Sequence, residues 1–243
     1  MPFEFWRPPS SLPEPACPTP LGGGAEVAGR PRGRFLPMAS SPRRRSETPW
    51  GPWEPYEVAE MAAALREVAV LWWVAGGCAL EAFVGRRWRE HEDVDFGCFR
   101  EDAPALRRAI GGWDVHVADP PGTLRRWAVG EPLPPHAHGA WVRERAGTPW
   151  RFQCLLDERE GDSWVYRRDA RIRRPVASLT WERDGVRHLA PEIQLLYKSK
   201  DRRPKDETDF REALPRLDGA RRLWLADALR RTDPAHAWLP LLA

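Results

Sequence analysis

The chain has 243 residues, 42% of them hydrophobic and 30% charged, enough for one substantial core and a second small lobe. Its longest apolar run, Val68 to Ala75, falls far short of the roughly 20 residues that a membrane crossing needs, and its N-terminus lacks the apolar stretch of a secretory signal. The net charge of +3 resides in residues 1–48, where seven Arg face four Glu; the remainder carries 31 residues of each sign, so no surface for duplex nucleic acid is expected.

Residues 1–48 hold 10 of the 26 prolines, the run Gly22-Gly23-Gly24 and the cluster Arg43-Arg44-Arg45, without hydrophobic periodicity. That composition predicts a disordered tail with solvated arginines. Folding is expected to begin near residue 49. Pro55 followed by Tyr56, Val58, Met61, Leu65 and Val68 predicts a helix, and Val70–Val74 a buried strand stopped by Gly76-Gly77. A second helix is expected from Cys78 to Gly85, then a half-buried strand over Asp93–Phe99, where acid and apolar residues alternate. Pro104–Ile110 reads as a helix and Trp113–Val117 as a strand. Trp141–Glu144 and Trp150–Leu156 flank Ala146-Gly147-Thr148 as a hairpin, and three helices over Pro191–Lys200, Lys205–Leu214 and Ala220–Arg230 end the chain. The fold class expected is therefore α/β (α+β), a mixed β-sheet flanked by helices, with residues 49–190 forming the main lobe and 191–243 a helical part. The four cysteines, Cys17, Cys78, Cys98 and Cys154, lack the spacing of a zinc or dithiol site. Reduced thiols in a cytosolic protein are expected, with Cys98 and Cys154 as small buried hydrophobes.

The candidate chemistry centres on Asp93 and Asp95. A period of two puts both on one face of a strand, where paired carboxylates suit Mg²⁺, a cation that takes oxygen ligands and completes its shell with water and substrate phosphates. Alone the pattern is weak, since an Asp-x-Asp is commonly a solvated strand face. The context adds to it: a strand runs into Gly76-Gly77 and then a helix, so that the backbone can approach a ligand and amide N–H groups at the helix start can meet phosphate. Arg86, Arg87 and Arg89 supply cations nearby. A third acid is wanted to ligate metal or take the proton of an acceptor hydroxyl. Asp157, ending the strand Phe152–Leu156, is the candidate if sheet pairing sets that strand beside Asp93 and Asp95; Glu158, facing the other way, is the second choice. Both residues also suit the start of a polar turn. His91 is expected to serve its neighbours by hydrogen bonding rather than to bind metal, and no metal is assigned to His136-Ala137-His138. Among the tryptophans, Trp88 is the candidate base or sugar platform.

The stretch Trp72-Trp73-Val74-Ala75-Gly76-Gly77-Cys78-Ala79-Leu80, followed by Gly85, Arg89, His91 and Asp93-Val94-Asp95, resembles the aminoglycoside 2''-adenylyltransferase-like group of the polymerase-β-type nucleotidyltransferases. The similarity continues through Leu155-Leu156-Asp157-Glu158, Trp164–Asp169 and Ala190–Lys198 to Arg203-Pro204-Lys205-Asp206-Glu207 and Asp209-Phe210, roughly from Tyr56 to Leu225. The resemblance implies that Asp93 and Asp95 hold Mg²⁺, that Gly76 and Gly77 cradle a triphosphate beside Arg89, that Asp157 is third ligand or base, and that Lys198 and Lys205 bind phosphate. Two departures stand out: Cys78 occupies a place where the wider superfamily often has Ser, and the interval from Gly77 to Asp93 is longer than in many members.

The function expected is a cytoplasmic Mg²⁺-dependent transfer of a nucleoside monophosphate, AMP from ATP, to a hydroxyl of a small-molecule acceptor such as an aminoglycoside-like compound. The alternatives are a toxin-like transferase acting on tRNA or protein, and a catalytically idle nucleotide-binding module.

Overall fold

A computed structural model describes residues 45–243. In chain order the elements are β1 (Ser46–Thr48), β2 (Gly51–Trp53), α1 (Val58–Ala64), β3 (Trp72–Val74), α2 (Gly76–Val84), β4 (Asp95–Phe99), α3 (Ala103–Ala109), β5 (Asp114–Val117), β6 (Arg125–Arg126), β7 (Gly139–Arg143), β8 (Phe152–Glu160), β9 (Ser163–Val165), β10 (Arg173–Pro175), β11 (Thr180–Arg183), β12 (Val186–Leu189), α4 (Pro191–Lys198), α5 (Pro204–Ala213) and α6 (Gly219–Thr232). Most of the tail expected over 1–48 lies outside the described residues. Its last residues do not: Ser46–Thr48 pair with Gly51–Trp53 in a small hairpin.

The main sheet runs in the order β11-β12-β3-β4-β8-β7-β5-β6, with β9 on β8 and β10 on β9. β12 and β3 are parallel, as are β4 and β8, while the other pairs are antiparallel. The sheet is thus mixed and flanked by helices, as the sequence predicts. Alternation along the strands creates two cores. On one face Phe96, Cys98, Cys154 and Leu156 pack with Met61 of α1 and Leu106 of α3. On the other, Trp73 and Phe99 pack with Leu80 of α2, Ile193 and Leu196 of α4, Phe210 of α5 and Leu225 of α6. Each such side chain contributes about 1.5–3 kcal/mol by leaving water. The C-terminal helices therefore share a core with the sheet, and α4 and α5 are fixed against the turn that links β3 to α2. No helix among the described residues is long and apolar enough to cross a membrane.

Two local departures from the sequence reading have clear causes. α2 starts at Gly76, two residues before the expected Cys78, because Ala75 is already extended and acts as the N-cap. β11 and β12 were not expected as strands, yet they form a hairpin in which Asp184 and Gly185, at φ +53° and +75°, make the two-residue turn between the paired Arg183 and Val186. An Asp-Gly dipeptide is the turn such hairpins favour.

Candidate functional site

The site forms where β3 ends, α2 begins and β4 starts. The Ala75 N–H donates to the Asp95 carbonyl at 2.9 Å, and the chain then turns at Gly76, which has φ +69°. A Cβ on Gly76 would stand 2.6 Å from Asp95 Oδ2, and one on Gly77 would overlap the Arg89 guanidinium and the His91 ring. Both glycines are required by what approaches them, which a free turn would not demand. The Gly76 N–H donates to Gln194 Oε1 of α4 at 2.7 Å. Gln194 thus takes the first amide of α2, and the N-cap Ala75 has no side chain to cap those that follow.

Asp95 opens β4, and Asp93 lies two residues before it. Among the described residues, no hydrogen-bond donor reaches either carboxylate, and the Asp95 carboxyl is raised well above the usual range by burial and by the charge of Asp93, with Lys198, Lys205 and Arg203 acting in the opposite sense. Burial and the neighbouring Asp93 thus drive the Asp95 carboxyl toward its protonated form unless a cation joins it.

Those cations belong to a network on α4 and α5. Lys198 Nζ lies 2.9 Å from Asp206 Oδ1 and 2.8 Å from Asp209 Oδ2. Arg89 forks onto Asp209 through Nε and Nη2, each at 2.9 Å, and Trp88 Nε1 donates to the same carboxylate at 2.9 Å. Arg203 Nε donates to Asp206 Oδ2 at 2.7 Å. Burial by itself would raise both aspartates, but Arg89 and Lys198 hold Asp209 far below the ordinary carboxylate range, and Arg203 and Lys198 bring Asp206 down to about 2. Lys205 Nζ is the looser cation, 3.7 Å from Glu92 Oε2. Glu81 of α2 secures the loop before β4: it accepts from the Trp88 and Arg89 amides at 3.0 and 3.2 Å and sits 2.9 Å from His91 Nε2. His91 thus serves Glu81, and Trp88 is an anchor on Asp209. Arg86 and Arg87 pair outward with Glu212 and Glu57.

The fold brings together Gly76, Gly77, Arg89, Asp93, Asp95, Lys198 and Lys205. It does not bring Asp157 to them. In the parallel pairing of β4 with β8, Asp95 faces Gln153 and Asp157 faces Phe99. Asp157 therefore lies four residues along the strand, about 13 Å at the usual rise. It is buried, its Oδ1 accepts from Tyr197 Oη, and burial raises its carboxyl to about 6. Glu158 is no substitute, since it is bound by Arg100 Nε at 2.6 Å. The expected convergence of three acids is corrected to two, because a β8 strand long enough to reach β9 carries Asp157 past the end of β4 that holds the site. Among the described residues, no three His, Cys, Asp or Glu side chains gather to hold a metal ion. The sequence reading gave no role to Glu81, Gln194, Asp206 or Asp209. Gln194 and Lys198 are four apart on α4, a spacing that puts them on one face, but only the packing of α4 against the β3–α2 turn reveals what that face meets.

Residues 57–116 match the family model described as aminoglycoside-2''-adenylyltransferase. That segment holds α1, β3, α2 and β4, with the glycine turn, Arg89 and both aspartates. A search of curated proteins by sequence finds no match. Among solved structures, a lincosamide antibiotic adenylyltransferase with lincomycin bound is similar at 14% identity over 66% of this chain and 96% of its own, with a TM-score of 0.46. ANT(2'')-Ia in complex with adenylyl-2''-tobramycin is similar at 17% identity over 72% and 96%, also with a TM-score of 0.46. An antigenic nucleotidyltransferase-like protein from Paracoccidioides brasiliensis shares 17% identity over 76% and 89%, with a TM-score of 0.38.

Proposed function

We propose, from the match of residues 57–116 to the model described as aminoglycoside-2''-adenylyltransferase, that this chain transfers a nucleoside monophosphate, AMP from ATP, to a hydroxyl of a small-molecule acceptor of the aminoglycoside-like kind, with Mg²⁺ at Asp93 and Asp95. The observation that carries the reading is the pair of carboxylates without hydrogen-bond donors among the described residues, with Asp95 set directly against the Gly76 turn. These are hard oxygen donors, and two carboxylates with substrate phosphates and water suit Mg²⁺. When bound there, the ion would neutralise charge developing on the phosphates during displacement of pyrophosphate.

The chain's own residues supply the rest. Amides of the first turn of α2 bind phosphate, aided by the helix dipole, and Lys205 adds a cation that is only loosely engaged by Glu92. Lys198 and Arg89 act differently from simple phosphate clamps: Asp206 and Asp209 already hold them, so Lys198 adds to the positive field at Asp95 and Arg89 fixes the loop. Gln194 holds the turn itself by accepting from Gly76. The enzyme works in the cytosol, where ATP and Mg²⁺ are abundant, and its neutral body argues against RNA as acceptor.

The test is a pyrophosphate-release screen crossing four nucleotides with aminoglycosides, lincosamides, sugars and RNA. Release with at least one small acceptor, abolished by Asp93→Asn or Asp95→Asn in folded protein, is expected. Full turnover in either variant refutes the proposal. The absence of a third acid beside Asp95 favours a second reading, a nucleotide-binding module without turnover. That reading is selected if nucleotide binds and no acceptor yields pyrophosphate.

A further inference from the structure

We infer that the Asp93/Asp95 site is built for a single divalent cation, with Gln153 standing where a third carboxylate would have to be to hold a second one. The inference rests on the proposed nucleotide chemistry, but its ground is the strand register. Gln153 is the direct partner of Asp95 across the parallel β4–β8 pair, so the two side chains leave the sheet on one face at neighbouring-strand spacing, about 4.8 Å. No other residue of β8 is so placed. On that face the strand continues with Leu155, paired with Gly97, and then Asp157, paired with Phe99 and bound by Tyr197. The Gln153 side chain is half-buried and makes no hydrogen bond among the described residues; its Nε2 reaches over Gly139 of β7, where an added Cβ would stand 3.0 Å away.

Charge and geometry agree. Two divalent ions working as a pair sit about 3.5–4 Å apart, and each takes one or two carboxylates besides substrate phosphates. Asp93 and Asp95 carry two negative charges, which balance one such ion. An amide carbonyl at Gln153 offers a neutral oxygen and adds nothing to that balance.

The experiment counts Mn²⁺ by electron paramagnetic resonance on the full chain, saturated with an ATP analogue carrying an α,β-methylene bridge. One bound Mn²⁺ per chain is expected, without the dipolar broadening of a close pair, and Asp95→Asn should lose it. Gln153→Asp should bind two and show the broadening; Gln153→Glu serves the same purpose if the aspartate variant does not fold. Two Mn²⁺ on the natural chain would overturn the inference and leave the nucleotidyltransferase reading intact. One Mn²⁺ on both the natural chain and the folded Gln153 variants would overturn the role of Gln153. No Mn²⁺ sensitive to Asp95→Asn would sink the parent reading, and this inference with it.

Discussion

Asp209→Ala tests the network that organises the site. Asp209 is fully buried and takes four donors: Trp88 Nε1, Arg89 Nε, Arg89 Nη2 and Lys198 Nζ. Deleting the carboxylate leaves Lys198 with Asp206 alone and Arg89, whose side chain is 17% exposed, with the Glu90 carbonyl. Breaking a buried pair from one side costs about 3–5 kcal/mol, because the remaining charge stays desolvated. Retention of Asp206 beside Lys198 puts the expectation near the lower end, about 3 kcal/mol at pH 7, read from urea unfolding with an unchanged m-value. The pH dependence has a definite sign. Asp209 titrates below its ordinary value of 3.8 in the folded chain, so its contribution is complete above about pH 4 and is lost as pH falls through the folded value. The gap between natural chain and variant should accordingly close toward pH 2. A loss under about 1 kcal/mol at pH 7, or a gap independent of pH, would refute the assignment of Asp209 as the keystone of these ion pairs.

Gly76→Ala should cost about 1–2 kcal/mol for the left-handed backbone and, by pressing on Asp95, should weaken Mn²⁺–nucleotide binding by more than that loss explains; calorimetry on the folded variant checks it. Asp157→Asn should retain transferase activity within a few-fold, since the register keeps it away from Asp95. Its folded carboxyl is raised to about 6, so ionisation lowers stability as pH climbs from about 4 to 6; the variant should be more stable than the natural chain at pH 8, by at most about 3 kcal/mol, and equal to it near pH 4. Lys205→Ala should leave unfolding within about 0.5 kcal/mol, as expected for a surface pair, while raising the nucleotide Kd roughly tenfold if that side chain meets phosphate.

What was legible in the sequence was local. Apolar period marked β3 and the final helices, Gly76-Gly77 marked a bend between strand and helix, and Asp93-Val94-Asp95 marked two acids at the start of a strand, which begins at Asp95 and not at the expected Asp93. Lys198 and Lys205 could be named beside them through family likeness. The Asp184-Gly185 turn is an equally local signal.

Sheet order and register lay beyond any of these signals, since strand pairing is decided by contacts between segments distant along the chain. Asp95 and Asp157 are 62 positions apart, and a shift of four residues in the β4–β8 pairing would have set them side by side. The same holds for Asp206 and Asp209, whose composition suggests a solvated helix face until α5 docks on α2 and gives them Lys198 and Arg89. Chain-local chemistry thus determined which side chains were available and on which element each stands. The tertiary structure alone decided that Gln153, and no third acid, is the neighbour of Asp95, because only the packed sheet fixes which residue of one strand lies across from which residue of another.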